Sequence, residues 1–573
     1  MVFDVIIRGG RVVDGTGNLW FKADIGVSEG RIARLSRTPL NGADRVIDAK
    51  GLLVCPGFIN LHSHSGRMIL NHNNAENCLA MGLVTELVGS CGYSMAPITE
   101  AHRSELNEIW AGMSWNQMDE EIDWLTLSEW RSRLDEKGIG VNIAPLVGHG
   151  TVRSCVNGKE GEGGERVVPS DDEMAGMIGM VEAAMEDGAF GLSTGLVYAP
   201  GRNSLTGEIV ELARVVSGYG GLYSSHMRCE ADRLIEATRE MIEICERAGV
   251  RGLISHHKAM GWRNYGKVNE TLRMVDRARA RGVDIIIDEY PYQHGGTIKS
   301  LGRMFKGKLP DGSAIETREE LLERLKDDEE WERVKASVME KRAREMEMHV
   351  ARRKEMEERG GWTTIPSSIV ESDYIIHSRS HPELEGKTLE EVAEAFGEED
   401  VLDCIRELLI ADDGYTLSEI YPYSEDDVVT IMRYPWTTIS TDQYAMDNSK
   451  VSWQMTADAL LIQNPRGWGT YPRILGRYVR ERSVLTLDDA IRKMTSLPAM
   501  FLGLQGRGLV KEGFWADLVV LDPDTVGDRA TYADPFMRPE GIPYVLVNGE
   551  LAVDKGEFTE ALAGKVLRNP FYP

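Results

Sequence analysis

Pro56-Gly57-Phe58-Ile59-Asn60-Leu61-His62-Ser63-His64 is an apolar run that ends in His-x-His. Alternate residues of a strand share a face, so His62 and His64 point the same way. Two imidazoles on one face, at the end of a buried strand, can hold one metal ion. His-x-His also occurs by chance on surfaces, so the rest of the chain has to decide between the two readings.

Outward from this stretch, short apolar strands alternate with helical segments. The strand candidates are Phe58–His64, Thr85–Cys91, Asn142–Val147, Phe190–Thr194, Gly221–His226, Gly252–Lys258, Asp284–Tyr290 and Thr437–Asp442. The alternation is that of a parallel α/β fold. Eight units predict a (β/α)8 TIM-like barrel, whose active site lies at the C-terminal ends of the strands. Polar residues gather at those ends: His62, His64, Cys91, His149, His226, His256, Asp288, Tyr290 and Asp442. An open doubly wound sheet is the alternative, and it would not collect polar residues at every strand end.

The two chain ends read differently. Residues 1–54 are short strands (Asp4–Arg8, Arg11–Asp14, Asp24–Ser28, Arg31–Leu35, Arg45–Asp48) separated by Gly9-Gly10, Gly15 and Gly30. Ala516–Leu521, Tyr544–Val547 and Glu550–Val553 repeat that texture, with Asn548-Gly549 a hairpin signal. We therefore expect one small β-sandwich domain from 1–54 and 505–573, with a barrel at 55–504 inserted between them. The connection to the last strand is far longer than a usual loop, and 298–420 is expected to be a helical insertion. Its charged stretch Arg318–Glu358 reads either as a solvated helical hairpin or as a lid over the barrel mouth. Leu389–Leu409 reads as a further amphipathic helix pair.

Composition excludes some partners. The chain has 573 residues, 42% of them hydrophobic, with 65 basic against 91 acidic residues and a net charge of −26. That disfavours nucleic acid and anionic membrane surfaces. The start lacks a basic segment before a long apolar core, and no run of about 18 apolar residues appears, so neither a signal peptide nor a membrane span is expected. The seven cysteines include no CxxC pair, the pattern of a reduced, cytoplasmic protein.

His226 and His256 lie about one strand–helix–strand unit apart, which puts them on adjacent strands at one level. In His256-His257-Lys258, Lys258 shares a face with His256. Asp442 ends the last strand, where a carboxylate can touch both a metal and its water; capping the following helix is the alternative. Cys91 is either a buried small hydrophobe or, beside histidines, a zinc ligand.

These motifs resemble the N-acyl-D-amino-acid deacylase (D-aminoacylase) family of the amidohydrolase superfamily. The matching segments run nearly end to end: Pro56–His64, Gly89–Ser94, Leu146–Thr151, Gly188–Gly201, His226–Glu230, Ser255–Lys258, Tyr290–Tyr292, Pro435–Asp442, Gly469–Gly476, Met494–Pro498 and Ala516–Asp522. The resemblance implies one tightly held zinc on Cys91, His226 and His256. It implies a second, weaker metal position lined by His62, His64 and Asp442. It also implies Asp442 as the catalytic acid/base, with Tyr198, Lys258, Tyr290 and Arg466 binding substrate; for Arg466 the alternative is a surface arginine after a proline turn. The chain departs from the family at Asn60, Gln293–Thr297, Gln443 and Asn464, all near the pocket. The expected activity is zinc-dependent hydrolysis of N-acyl-D-amino acids to a carboxylate and a free D-amino acid. A cyclic-amide hydrolase of hydantoinase or dihydroorotase type would favour a bridging lysine, and a non-catalytic scaffold would have lost its ligands. The reading leaves room for a homo-oligomer.

Overall fold

The computed structural model describes residues 2–572, apart from 112–120, 159–167, 295–298, 306, 309–313, 316, 364–372, 398–399, 421 and 449–463. The first three barrel strands are Phe58–Ser63, Leu83–Val88 and Asn142–Pro145, and they pair in parallel. The third is broken rather than continuous as expected. Leu146 bonds back to Val88 O, and Val147–Gly148 crosses to pair with the fourth strand, Gly191–Gly195. Leu222–His226, Arg251–Ile254, Ile285–Glu289 and Thr437–Ile439 follow in parallel order.

A bridge between Ser63 and Gln443, with Asp442 N donating to His62 O at 3.0 Å, joins the last strand to the first. This is the α/β barrel, and it collects every strand's C-terminal end at one mouth. Ile59, Leu61, Leu87, Ala144, Leu146, Leu222, Leu253 and Ile286 form one apolar cluster through successive strands, joined by Phe501 and Leu502 of the helix Ser496–Leu502.

The chain ends meet in one nine-stranded sheet. Leu53–Pro56 lies beside Phe3–Val12 on one side and antiparallel to Leu518–Leu521 on the other, with Val54 opposite Val520. The expected pair of strands at Asp4–Arg8 and Arg11–Asp14 is in fact one ten-residue strand. Gly9-Gly10 is not a turn but a bulge: the register slips between Ile7 and Gly10, and Gly9 takes a φ of 73° while its N donates to Asp24 Oδ1 at 2.8 Å. At Asn548-Gly549 both residues have positive φ, the two-residue turn that matches strand twist.

The insertion is more than a solvated hairpin. Leu301, Phe305, Leu321, Trp331, Val334, Ile375, Leu402, Ile405 and Leu408 bury one another in a core of their own. Arg318–Leu325 and the 31-residue helix Asp328–Glu358 are separate elements. Asp327 caps the second by accepting from the N–H groups of Glu329 and Glu330. The long helix is buried at its start and exposed through Met339, Met346, Met348 and Val350. Among the described residues no helix is long and apolar enough to cross a membrane.

Candidate metal centre and active site

The loop after the second strand, Gly89-Ser90-Cys91-Gly92, is pinned from two sides. Gly89 has a φ of 85°, and a Cβ there would lie 2.6 Å from Leu146 O. Ser193 Oγ donates to Gly89 O and accepts from Gly92 N at 3.0 Å. Cys91 itself is held at a φ of 54°. Its sulfur lies 3.3 Å from His62 Nε2, 3.7 Å from His226 Nδ1 and 3.7 Å from His256 Nε2. Burial alone would raise the thiol pKa, but the charge of His62 and hydrogen bonds from the three imidazoles override it and hold the group well below its usual range.

Asp442 faces the same space from the last strand, at a φ of 49°. Its Oδ1 is 3.0 Å from His64 Nε2 and 3.4 Å from His62 Nε2. Its Oδ2 takes a 3.0 Å contact from the Arg466 guanidinium. Burial pushes this carboxyl up, yet Arg466 first and the two histidines next hold it well below the ordinary carboxylate range. Arg466 is 7% exposed and stacks 4.5 Å from the Tyr290 ring centroid, so the surface-arginine alternative fails.

The third wall comes from the fifth and sixth strands. Lys258 Nζ lies 2.7 Å from His256 Nδ1 and donates to Glu230 at 2.9 Å. His257 turns away to Thr271 Oγ1 at 2.7 Å, and burial lowers its pKa to about 4. Tyr198 packs edge-on against His226, with the ring centroids 4.8 Å apart. His149 is not part of the cluster: it opens the helix His149–Asn157 and is bound to Glu208 at 2.8 Å, beside Arg153.

Two departures from the family pattern, Asn60 and Asn464, have local partners. Asn60 Nδ2 donates to Glu86 and Thr441, tying the first strand to the last. Asn464 Oδ1 accepts from Arg466 N at 3.0 Å. Of the stretch Gln293–Thr297, residues 295–297 lie outside the described residues.

Among the described residues three donor groups emerge, each with ligand atoms within 4.8 Å of one another: His62, Cys91 and His256; His62, His64 and Asp442; His226, Glu230 and His256. His62 thus faces both metal positions rather than one. A buried thiolate ringed by imidazoles suits zinc. The fit is reinforced by Asp288, whose buried Oδ2 lies 3.5 Å from His62 Nδ1 and so leaves Nε2, the nitrogen beside the Cys91 sulfur, for a metal. Sequence reasoning gave no role to Glu230, Tyr423 or Ser193. Glu230 had a signal, an acid four residues beyond His226. Tyr423 had none, because it arrives from the end of the insertion, where its hydroxyl sits 3.2 Å from that of Tyr290.

A family model described as the amidohydrolase family matches residues 372–553. Over 566 residues the chain is 32% identical to the D-aminoacylase of Alcaligenes xylosoxydans xylosoxydans, covering 99% of this chain and 97% of that one. The chain belongs to the D-aminoacylase family of amidohydrolases. Solved members superpose along the whole length. The N-acyl-D-glutamate deacylase from Bordetella bronchiseptica, solved with zinc and a phosphonate inhibitor that mimics the tetrahedral intermediate, is 30% identical with a TM-score of 0.72, covering 99% of this chain and 100% of that one. A D-aminoacylase studied for its binuclear metal center is 31% identical, with the same TM-score and coverage. The family is therefore one of metal-dependent amide hydrolases, and this chain carries a clustered donor set for that metal.

Proposed function

We propose that the protein hydrolyses N-acyl-D-amino acids to a carboxylate and a free D-amino acid. The observation that carries this reading is the convergence of Cys91, four histidines, Asp442 and two cationic side chains, Lys258 and Arg466, at one mouth. Cys91, His226 and His256 would hold one zinc tightly, with a weaker position between His62, His64 and Asp442. Bound there, zinc supplies Lewis acidity toward a water and toward the amide carbonyl.

Asp442 takes the proton of the attacking water and returns it to the departing nitrogen. Arg466 occupies Oδ2, which leaves Oδ1, on the histidine side, for that transfer. The substrate α-carboxylate needs a buried partner, and Arg466, Lys258 and the Tyr290 hydroxyl supply one. Fixing the carboxylate, the carbonyl and a side chain beside Tyr198 imposes one hand on the α-carbon. A screen of N-acetyl, N-formyl and carbamoyl forms of D- and L-amino acids, read as free amine released, tests the proposal; equal rates on both enantiomers would refute it.

Arg466→Lys keeps the charge and removes the planar fork. It is expected to lower kcat/KM on carboxylate substrates by about 2–4 kcal/mol and to spare uncharged amides. Steady-state kinetics on both classes checks this.

We also read 1–54 and 505–573 as one sandwich domain, because residues of both ends, from Val5 and Ile25 to Leu518 and Leu546, share one core. Residues 55–504 are then the barrel domain, and the 298–420 insertion a lid on it. Tyr423, three residues past that insertion, is the side chain by which the returning chain would touch substrate. Tyr423→Phe removes one hydroxyl, so KM should rise by roughly 2–10-fold with zinc content unchanged. An unaltered KM would detach the insertion from the pocket.

A further inference from the structure

Glu230 lies at the centre of a contact set that neither metal holding nor substrate binding alone explains. It follows the fifth strand by four residues and is 6% exposed. Its Oε1 is 2.9 Å from His256 Nδ1 and 2.9 Å from Lys258 Nζ, and that ammonium stands 2.7 Å from the same ring nitrogen; of these two neighbours of Nδ1, a donor-only ammonium and a carboxylate, the carboxylate is the one that can accept its proton. Its Oε2 is 3.4 Å from His226 Nε2. The opposite ring nitrogens, His256 Nε2 and His226 Nδ1, each lie 3.7 Å from Cys91 Sγ.

The two histidines thus present different nitrogens to the sulfur, and each turns its other nitrogen to the same carboxylate. An imidazole that binds a metal through one nitrogen carries its proton on the other, and the acceptor facing that proton fixes the tautomer. We propose that Glu230 is a positioning residue that sets the tautomers of both His226 and His256 at once. It forces the first to ligate through Nδ1 and the second through Nε2, and it anchors Lys258 to the same oxygen. The inference rests on the proposed zinc position at Cys91, His226 and His256. One carboxylate then couples the fit of the metal site to the reach of the substrate cation.

Glu230→Gln tests this by preserving shape while offering a single acceptor oxygen where two are needed. Zinc affinity, measured by chelator competition on the full-length protein, is expected to fall by about 10–100-fold, the usual cost of losing a histidine's outer partner. Unchanged affinity would overturn the proposal. Loss of zinc as complete as that expected for Cys91→Ala would also overturn it, because Glu230 would then be a ligand itself.

The wild-type protein gives a second measurement that no folding defect can spoil. Loaded with cobalt(II), it should show two hyperfine-shifted histidine N–H proton signals in slow exchange with solvent, one for each nitrogen held by Glu230. Fewer than two would sink the idea. If Cys91→Ala keeps its zinc, the zinc assignment fails; if only Glu230→Gln leaves affinity untouched, the positioning role alone fails.

Discussion

Asp442→Asn is expected to lower kcat by about 10²–10⁴-fold while the protein keeps its tightly bound zinc. The amide occupies the same volume and still accepts from Arg466, which lies 3.0 Å from Oδ2 in the native protein. What it loses is the ability to take a proton. The carboxyl of Asp442 is held well below its ordinary range, chiefly by Arg466 against the opposing effect of burial, so the basic form is fully present near neutrality. The histidines His149 and His257 do not fill the gap. His149 is engaged by Glu208 at 2.8 Å, and His257 is turned to Thr271. Turnover within a few-fold of the native value, with zinc content measured by atomic emission on the same sample, would move the base role elsewhere.

The second large effect belongs to Cys91→Ala. Its sulfur lies within 3.7 Å of ring nitrogens of all three of His62, His226 and His256. Alanine keeps the Cβ and the φ of 54°, so the turn held by Ser193 should survive. The anionic ligand is lost, and the remaining imidazoles compensate poorly for it. Dialysed protein should carry little or no zinc. Activity should fall by about 10³-fold or more, matching the several kcal/mol that a metal contributes to the transition state. Full zinc retention would refute the ligand assignment. Unchanged circular dichroism would show that the fold survives without the metal.

Much of this site could be read before any coordinates. His62, His64, His226, His256 and Asp442 each sit at the end of an apolar run, where a barrel exposes chemistry, and strand alternation fixes which neighbours share a face. The kink at Leu146 was not legible, because it arises from Leu146 N bonding to Val88 O across the sheet. Nor was the bulge at Gly9-Gly10, since paired glycines signal a turn and a bulge alike. Tyr423 reaches Tyr290 only because the insertion packs its own core and returns the chain to the pocket. Glu230 was visible as an acid near a histidine, but its use of both oxygens depends on ring orientations that no spacing encodes.

The sheet shared by the two chain ends has a consequence for biosynthesis. Leu53–Pro56 is completed by Leu518–Leu521, which leaves the ribosome only after the whole barrel between them has been made. At about 5–20 residues per second, the N-terminal strands wait roughly half a minute to a minute and a half for their partner. Throughout that time Leu53, Val54 and Cys55, all buried in the finished protein, lie on an unpaired strand edge of the kind that recruits other chains. A nascent chain of this protein therefore has its greatest need of a chaperone at its beginning, and a truncation that removes the last strands leaves that need unmet.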